Sequence, residues 1–298
     1  MAKPALPTRL LFLSGLAALV PALTACLPGD TRPEPASLFV SVSPTLAVKQ
    51  GFDTEDGYRV TFERLVTAVG DLDLERDDAE CNRYAAARYD RLFDFTVADA
   101  QKVGVVWGLG ECRLRYRMRA PSFEALLGPG VSADDVTLLR IRDSDRFAES
   151  ERVSLLVRGA ATGPLGTKRF DWVFRRSYQI TNCEAPGEGY VTTVALEGGQ
   201  ALSLALEVRG EELFRAAADG LAPLRFAPFA EADGDGDGDI TLDELDAAPR
   251  PEFALPDAGT EPPAEDATLE QLVYTELLPR VLGVAGGGDC EATVRSGR

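Results

Sequence analysis

The chain has 298 residues, 45% of them hydrophobic, which is enough for one large domain or two modest ones, each with its own core; wholesale disorder is set aside. Acidic residues outnumber Lys and Arg by 48 to 31, so no nucleic-acid partner is expected. Histidine is absent, which removes Ser-His-Asp and Cys-His catalysis and His-ligated zinc, and leaves carboxylates as the acid–base option.

Residues 1–25 carry Lys3 and Arg9 ahead of an apolar run, Leu10 to Leu23, too short to span a bilayer stably. The run ends in "LTAC", Leu23 to Cys26. This stretch resembles the bacterial lipoprotein signal with its lipobox. The resemblance implies cleavage behind Ala25 and acylation of the Cys26 sulfur, so that acyl chains rather than a spanning helix tie the protein to a membrane. Leu27 stands where an Asp favours inner-membrane retention in such lipoproteins, so an outer-membrane location, on the periplasmic or cell-surface side, is the expectation. Loss of the signal removes two basic residues and no acid, raising the acidic excess from 17 to 19. Residues 26–36 are Pro-rich and without periodicity, and read as a tether.

With Cys26 assigned to lipid, an even set remains: Cys81, Cys112, Cys183 and Cys290. An exported protein should not leave reactive thiols, so two disulfides are predicted. Of the three connectivities, Cys81 with Cys112 and Cys183 with Cys290 is favoured, because the first closes a compact loop.

Residues 37–220 show period-two alternation repeatedly, in "SLFVSVS", "GYRVTFERL", "TAVGDLDLE", "KVGVVWG", "ECRLRYRMR", "VTLLRIR", "RVSLLVRG", "KRFDWVFRRSYQI", "GYVTTVAL" and "ALSLALEV". Turn residues separate these runs and no long helical crossover intervenes, so the fold class read is mainly β: an antiparallel β-sandwich, or a barrel-like relative, with a C-terminal helical segment. "AECNRYAAARYDRL" and "EALLG" are left as short helices or loops. In "ECRLRYRMR" Arg113, Arg115, Arg117 and Arg119 alternate with core residues; a solvated face pairing with acids across the sheet is preferred to an anion grip. Trp107 and Trp172 are read as core in preference to a sugar cleft. "GPLGTKRF" and "WGLGECR" lack phosphate-loop spacing and read as turns. "GEELFRAAADG" begins a helical pattern that stops at Gly220.

Residues 221–248 hold "DGDGDGDITLDE", Asp233 to Glu244. Calcium takes six to eight oxygens, so one short turned segment must aim several carboxylates inward. Asp233, Asp235 and Asp237 fall at loop positions 1, 3 and 5, Gly238 at the turn position 6, Ile240 at the apolar position 8 and Glu244 at the closing position 12. The stretch resembles an EF-hand, and that resemblance implies a backbone carbonyl ligand from Asp239, a direct or water-mediated contact from Thr241 and a bidentate Glu244. Pro223, Pro228 and Pro249 shorten both flanking helices, so a dockerin-like or stand-alone loop fits as well as a full hand. Sensor hands pair at position 8, and no second loop occurs here.

Residues 249–267 form a Pro-rich, acidic linker. Residues 268–298 open with Thr268 and Gln271 as a capping box and continue at helical spacing, predicting a helix that docks on the sandwich, bends at Pro279 and is fastened by Cys290. The expected function is a non-enzymatic, calcium-binding, lipid-anchored envelope protein with a binding, adhesive or structural role toward an envelope protein or glycan. The alternative is a calcium-assisted hydrolase of saccharide or envelope polymers using a carboxylate pair, for which a groove with two facing carboxylates beside an exposed Trp would speak.

Overall fold

A computed structural model describes residues 33–75, 81, 87–141, 152–217, 220–251 and 267–295. Cys26, the signal and most of the 249–267 linker lie outside the described residues. Pro35 to Arg298 forms one compact unit.

Alternation drives most of the architecture. In β1 (Ala36–Pro44) Ala36, Leu38, Val40 and Val42 are buried while Ser37, Phe39 and Ser41 face outward. The helical turn α1 (Leu46–Gln50), capped by Thr45, and the short β2 (Phe52–Asp53) lead into β3 (Arg59–Glu75). This long strand pairs through its first half with β8 (Leu155–Gly163) and through its second with β6 (Gly110–Arg119). Along its other edge lies β4 (Ala87–Asp94). The strands β5 (Gln101–Gly108), β7 (Leu126–Leu127), β9 (Gly166–Phe174), β10 (Tyr178–Thr181), β11 (Thr193–Leu196) and β12 (Ala201–Val208) complete the series to residue 208. Two further strands come from the C-terminal segment, β14 (Leu282–Val284) and β15 (Glu291–Val294).

The result is mainly β and sandwich-like. A four-stranded sheet in the order β14-β12-β1-β5 packs its apolar side against a larger sheet running β9-β8-β3-β6-β10-β15. Most pairs are antiparallel, but β1 runs parallel to β12, with Ser37 opposite Ala201. That contact brings together residues over 160 positions apart, with the larger sheet as the crossover. The disulfides Cys81–Cys112 and Cys183–Cys290 close as the favoured connectivity has them, the second tying the end of β10 to the start of β15. The arginine ladder on β6 meets acids from β3: Arg115 reaches Asp73 at 2.7 Å and also pairs with Glu75, and Arg117 reaches Asp71 at 2.9 Å.

Five elements differ from the sequence pattern, one of them "EALLG", which supplies β7 where a short helix or loop was expected. "VTLLRIR" is not a strand; α2 (Ala133–Leu139) occupies it, because Ser132 and Asp135 make a reciprocal capping box that nucleates the first turn. Among its described residues "GEELFRAAADG" gives a 3-10 turn, Gly210–Phe214, in place of a regular helix, although Leu213 and Phe214 are buried as its pattern requires. A Cβ on Gly210 would lie 2.5 Å from Leu65 Cδ1, so a larger residue there would displace Leu65, and glycine is a poor helix former. The C-terminal helix is regular only over α5 (Leu269–Leu272); it widens to a π turn at Val273–Leu277 and tightens to 3-10 at Leu278–Arg280. Pro279 has no N–H to continue the ladder, and the chain passes into β14 instead. The segment "AECNRYAAARYDRL" supplies β4 from Ala87 onward, where a short helix or loop was expected.

Candidate cation loop and a neighbouring cleft

The loop grows from a closely packed aromatic core. Phe170 and Trp172 of β9 stack at 4.8 Å between centroids, and Phe214 lies 5.6 Å from Phe226 and 5.3 Å from Phe229. Phe226 and Phe229 flank and belong to α3 (Ala227–Glu231), where Pro228 sits in the first turn, a position proline tolerates. The start of α3 is capped from across the molecule: Asp56 Oδ2 accepts from the N–H groups of Phe226 at 2.8 Å and Ala227 at 2.7 Å. On the far side α4 (Leu242–Ala247) begins with Thr241 as N-cap in a box with Glu244, and it buries Leu245.

Between α3 and α4 the alternating Asp-Gly run folds as nested side-chain turns. Asp235 Oδ1 accepts from Asp237 N at 3.1 Å, and Asp237 Oδ1 accepts from Asp239 N at 2.7 Å. Gly236 and Gly238 take positive φ, 76° and 90°, which an L side chain resists. The coil so formed brings carboxylate oxygens of Asp233, Asp235 and Asp237 all within 4.8 Å of one another. Such a cluster suits a hard divalent cation by donor chemistry. Glu244 reaches back over the loop: Oε1 accepts from Gly234 N at 3.0 Å, and Oε2 from Thr241 N at 2.8 Å and Thr241 Oγ1 at 2.9 Å. The Asp239 carboxylate points away to the Arg169 guanidinium, 2.7 Å from Nε, and is not in the cluster. The Thr241 hydroxyl is occupied by its capping role.

The loop is fixed to the sheet rather than hung between helices. Asp239 and Ile240 form β13, a two-residue strand running parallel to the edge of β9 at Arg169 and Phe170. Arg169 N donates to Gly238 O at 2.8 Å, and Trp172 Nε1 donates to Ile240 O at 2.8 Å. Ile240 is 1% exposed and belongs to the main core. Trp172 is therefore a buried core residue with a polar contact beneath the loop.

Lys168, which sequence reasoning passed over, carries a cation into this cluster. Its Nζ donates to Asp233 Oδ2, and the Asp233 side chain is 0% exposed. Asp233 also accepts from Gly236 N at 2.9 Å and Gly238 N at 3.1 Å. The Lys168 ammonium, helped by these amides, holds the Asp233 carboxyl below the usual carboxylate range, and Arg169 does the same to Asp239. The signal available in the sequence is the alternation Lys168, Phe170, Trp172, which places the ammonium on the same side of β9 as the core aromatics.

A second feature is an open cleft of about 510 Å³ beside the 3-10 turn Gly210–Phe214, lined by Glu207, Glu211 and Glu212 with Arg209, Arg215 and Arg280. Arg215 Nε donates at 2.9 Å to each oxygen of the buried Glu212, and Arg280 Nε donates to it at 3.1 Å. Glu211 accepts from Thr45 Oγ1 at 2.8 Å; burial, with the charges of Glu212 and Glu207 nearby, pushes its carboxyl above the usual range. Neither tryptophan lines the cleft: Trp172 is in the core and Trp107 lies on the outer face of the four-stranded sheet. The groove with an adjacent Trp that would favour carboxylate hydrolysis is not formed by these described residues.

Among the described residues no helix is long and apolar enough to cross a membrane. No protein-family model, no curated protein and no solved structure matches the chain, so its own geometry is what carries a functional reading.

Proposed function

We propose that the protein is a calcium-binding, lipid-anchored protein of the bacterial cell envelope, non-enzymatic, with a structural or binding role. The observation that carries the calcium reading is the convergence of Asp233, Asp235 and Asp237 within 4.8 Å, with Glu244 folded back onto the first residues of the loop. Calcium is preferred to magnesium because the loop offers several carboxylates of flexible geometry, whereas magnesium demands a near-ideal octahedron and keeps its waters. In an EF-hand pair the residue at position 8 bridges to a partner loop; here Ile240 bridges to β9, which supports reading a single hand whose partner is a sheet edge. The anchor reading is supported by the resemblance of "LTAC", ending at Cys26, to a lipobox and by the Pro-rich stretch that follows. In an envelope setting the affinity need only match extracellular calcium, with a dissociation constant of about 10⁻⁴ to 10⁻³ M.

Isothermal titration with calcium and, separately, magnesium tests the reading. The expected result is one calcium site in the millimolar to submillimolar range, weaker magnesium binding, and loss of the calcium heat in the double variant Asp237→Ala, Glu244→Ala. A native protein that gives no calcium heat up to tens of millimolar refutes it.

A further inference from the structure

We infer that the exposed face of the four-stranded sheet rests on the lipid bilayer to which the acyl group proposed at Cys26 ties the chain; the inference rests on that anchor. Three rows of cross-strand neighbours make this face. Trp107, Ser37 and Ala201 form the first, Val105, Phe39 and Ser203 the second, and Lys102, Ser41 and Ala205 the third. The alternate residues Leu38, Val40, Val106, Leu204 and Leu206 point into the core, so the outward set is fixed by register.

The composition of this face departs from the rest of the chain. In a protein with 48 acidic residues, none stands in these three rows, and the single charge is Lys102, whose Nζ lies 5.6 Å from the Phe39 ring centroid. The first acid on the face is Glu207, opposite Ser43 one row further on, and Arg209 Nε engages it at 3.1 Å. Trp107 and Phe39 remain 41% and 42% exposed among small Ser and Ala side chains. An aromatic with a polar edge suits the headgroup level of a bilayer, and a surface without carboxylates approaches anionic lipid without repulsion, with a lysine to attract it.

The chain's course selects lipid over other occupants. Residues 27–35 separate Cys26 from β1, and nine residues span at most about 30 Å. They join β1 at Ala36, one residue before Ser37, which sits opposite Trp107. The tether therefore enters the sandwich at the most aromatic end of this face and is long enough to let the face lie on the bilayer. The larger sheet, packed on the opposite side of the core, is then directed away from the bilayer.

The test uses the full acylated protein reconstituted into vesicles of phosphatidylethanolamine and phosphatidylglycerol with brominated acyl chains. Because Trp172 is fully buried, quenching reads Trp107, with Trp107→Ser as the control. The expected result is about a twofold loss of emission on brominated vesicles, reduced by Phe39→Ser with Val105→Ser. Mass analysis of the N-terminal peptide reports the anchor separately. Acyl mass on Cys26 with unquenched Trp107 overturns the lipid face alone. Absence of acyl mass overturns the anchor and the face with it. Self-association that shields Trp107 before vesicles are added, and that Trp107→Ser abolishes, assigns the face to a second copy and also overturns the inference.

Discussion

Ile240→Ala probes the attachment of the loop to the sheet. Ile240 is 1% exposed, its carbonyl accepts from Trp172 Nε1, and its side chain enters the core formed by Phe170, Trp172 and the flanking phenylalanines. Truncation removes buried methyl and methylene groups and leaves a cavity beneath a loop that aromatic rings cannot easily collapse to fill. The expected loss is about 2 to 4 kcal/mol in the absence of calcium. For a unit of this size that corresponds to a fall in melting temperature of about 5 to 10 °C. If the loop binds calcium in the native state alone, calcium at a hundredfold excess over its dissociation constant returns about 2.7 kcal/mol, offsetting most of the loss. The assay is chemical denaturation followed by tryptophan emission, with and without calcium, beside Glu231→Ala as an exposed control on the adjoining helix. A cost below about 0.5 kcal/mol, the range of an ordinary surface substitution, would show that the loop is not docked and refute the reasoning.

Other outcomes follow from the same contacts. Lys168→Met removes the ammonium that competes for Asp233 and should tighten calcium binding roughly three- to tenfold by calorimetry, since charge count tunes such loops; an unchanged constant would show that Lys168 is irrelevant to the site. Glu211→Gln keeps an acceptor for Thr45 but carries no charge. The folded carboxyl titrates above its unfolded value, so its contribution to stability is full below the unfolded pKa and is lost as pH rises through the folded one; the substitution should stabilise at pH 7 and be neutral near pH 4, with equal effects at both pH values counting against it. Replacing Cys183 and Cys290 together by Ala opens a link across 107 residues and should cost about 5 kcal/mol on the chain-entropy model, while the native chain, denatured without reductant, should show no titratable thiol among Cys81, Cys112, Cys183 and Cys290.

What was legible in the sequence is what depends on near neighbours. Alternation located β1, β3, β5, β6 and β8 to β12, because one buried face imposes a period of two wherever a strand lies on the core, and missed β2, β4 and β7. The three clustered aspartates were legible for the same reason: they fall within five residues, and the intervening glycines permit the positive φ that coils them. Residues 136–142 were misread because "VTLLRIR" alternates well enough as a strand, while the deciding contact, Ser132 with Asp135, lies just upstream. The parallel pairing of β1 with β12 and the recruitment of β14 and β15 depend on sheet edges assembled from distant segments, which no local period encodes. Asp56 capping α3 across 170 positions and Lys168 reaching Asp233 across 65 are of the same kind.

The docking of the loop also bears on what a bound cation is able to do. An exposed β9 edge would offer unpaired backbone groups to another chain, and β13 covers part of it through Arg169 N to Gly238 O. The flanking helices are too constrained to swing in the manner of a sensor. The entering one is five residues long and tied at its start to Asp56, and the leaving one is six residues long with Leu245 in the core. A cation held by Asp233, Asp235, Asp237 and Glu244 would therefore act on the loop between two fixed points, joining its first and last residues and relieving the mutual repulsion of the carboxylates. The energy released on binding has no bistable helix pair to move and goes into keeping β13 on β9. On this reasoning a bound cation would strengthen a sheet edge, and its removal should loosen residues 233–244 and the adjoining strand β9 before the rest of the sandwich responds.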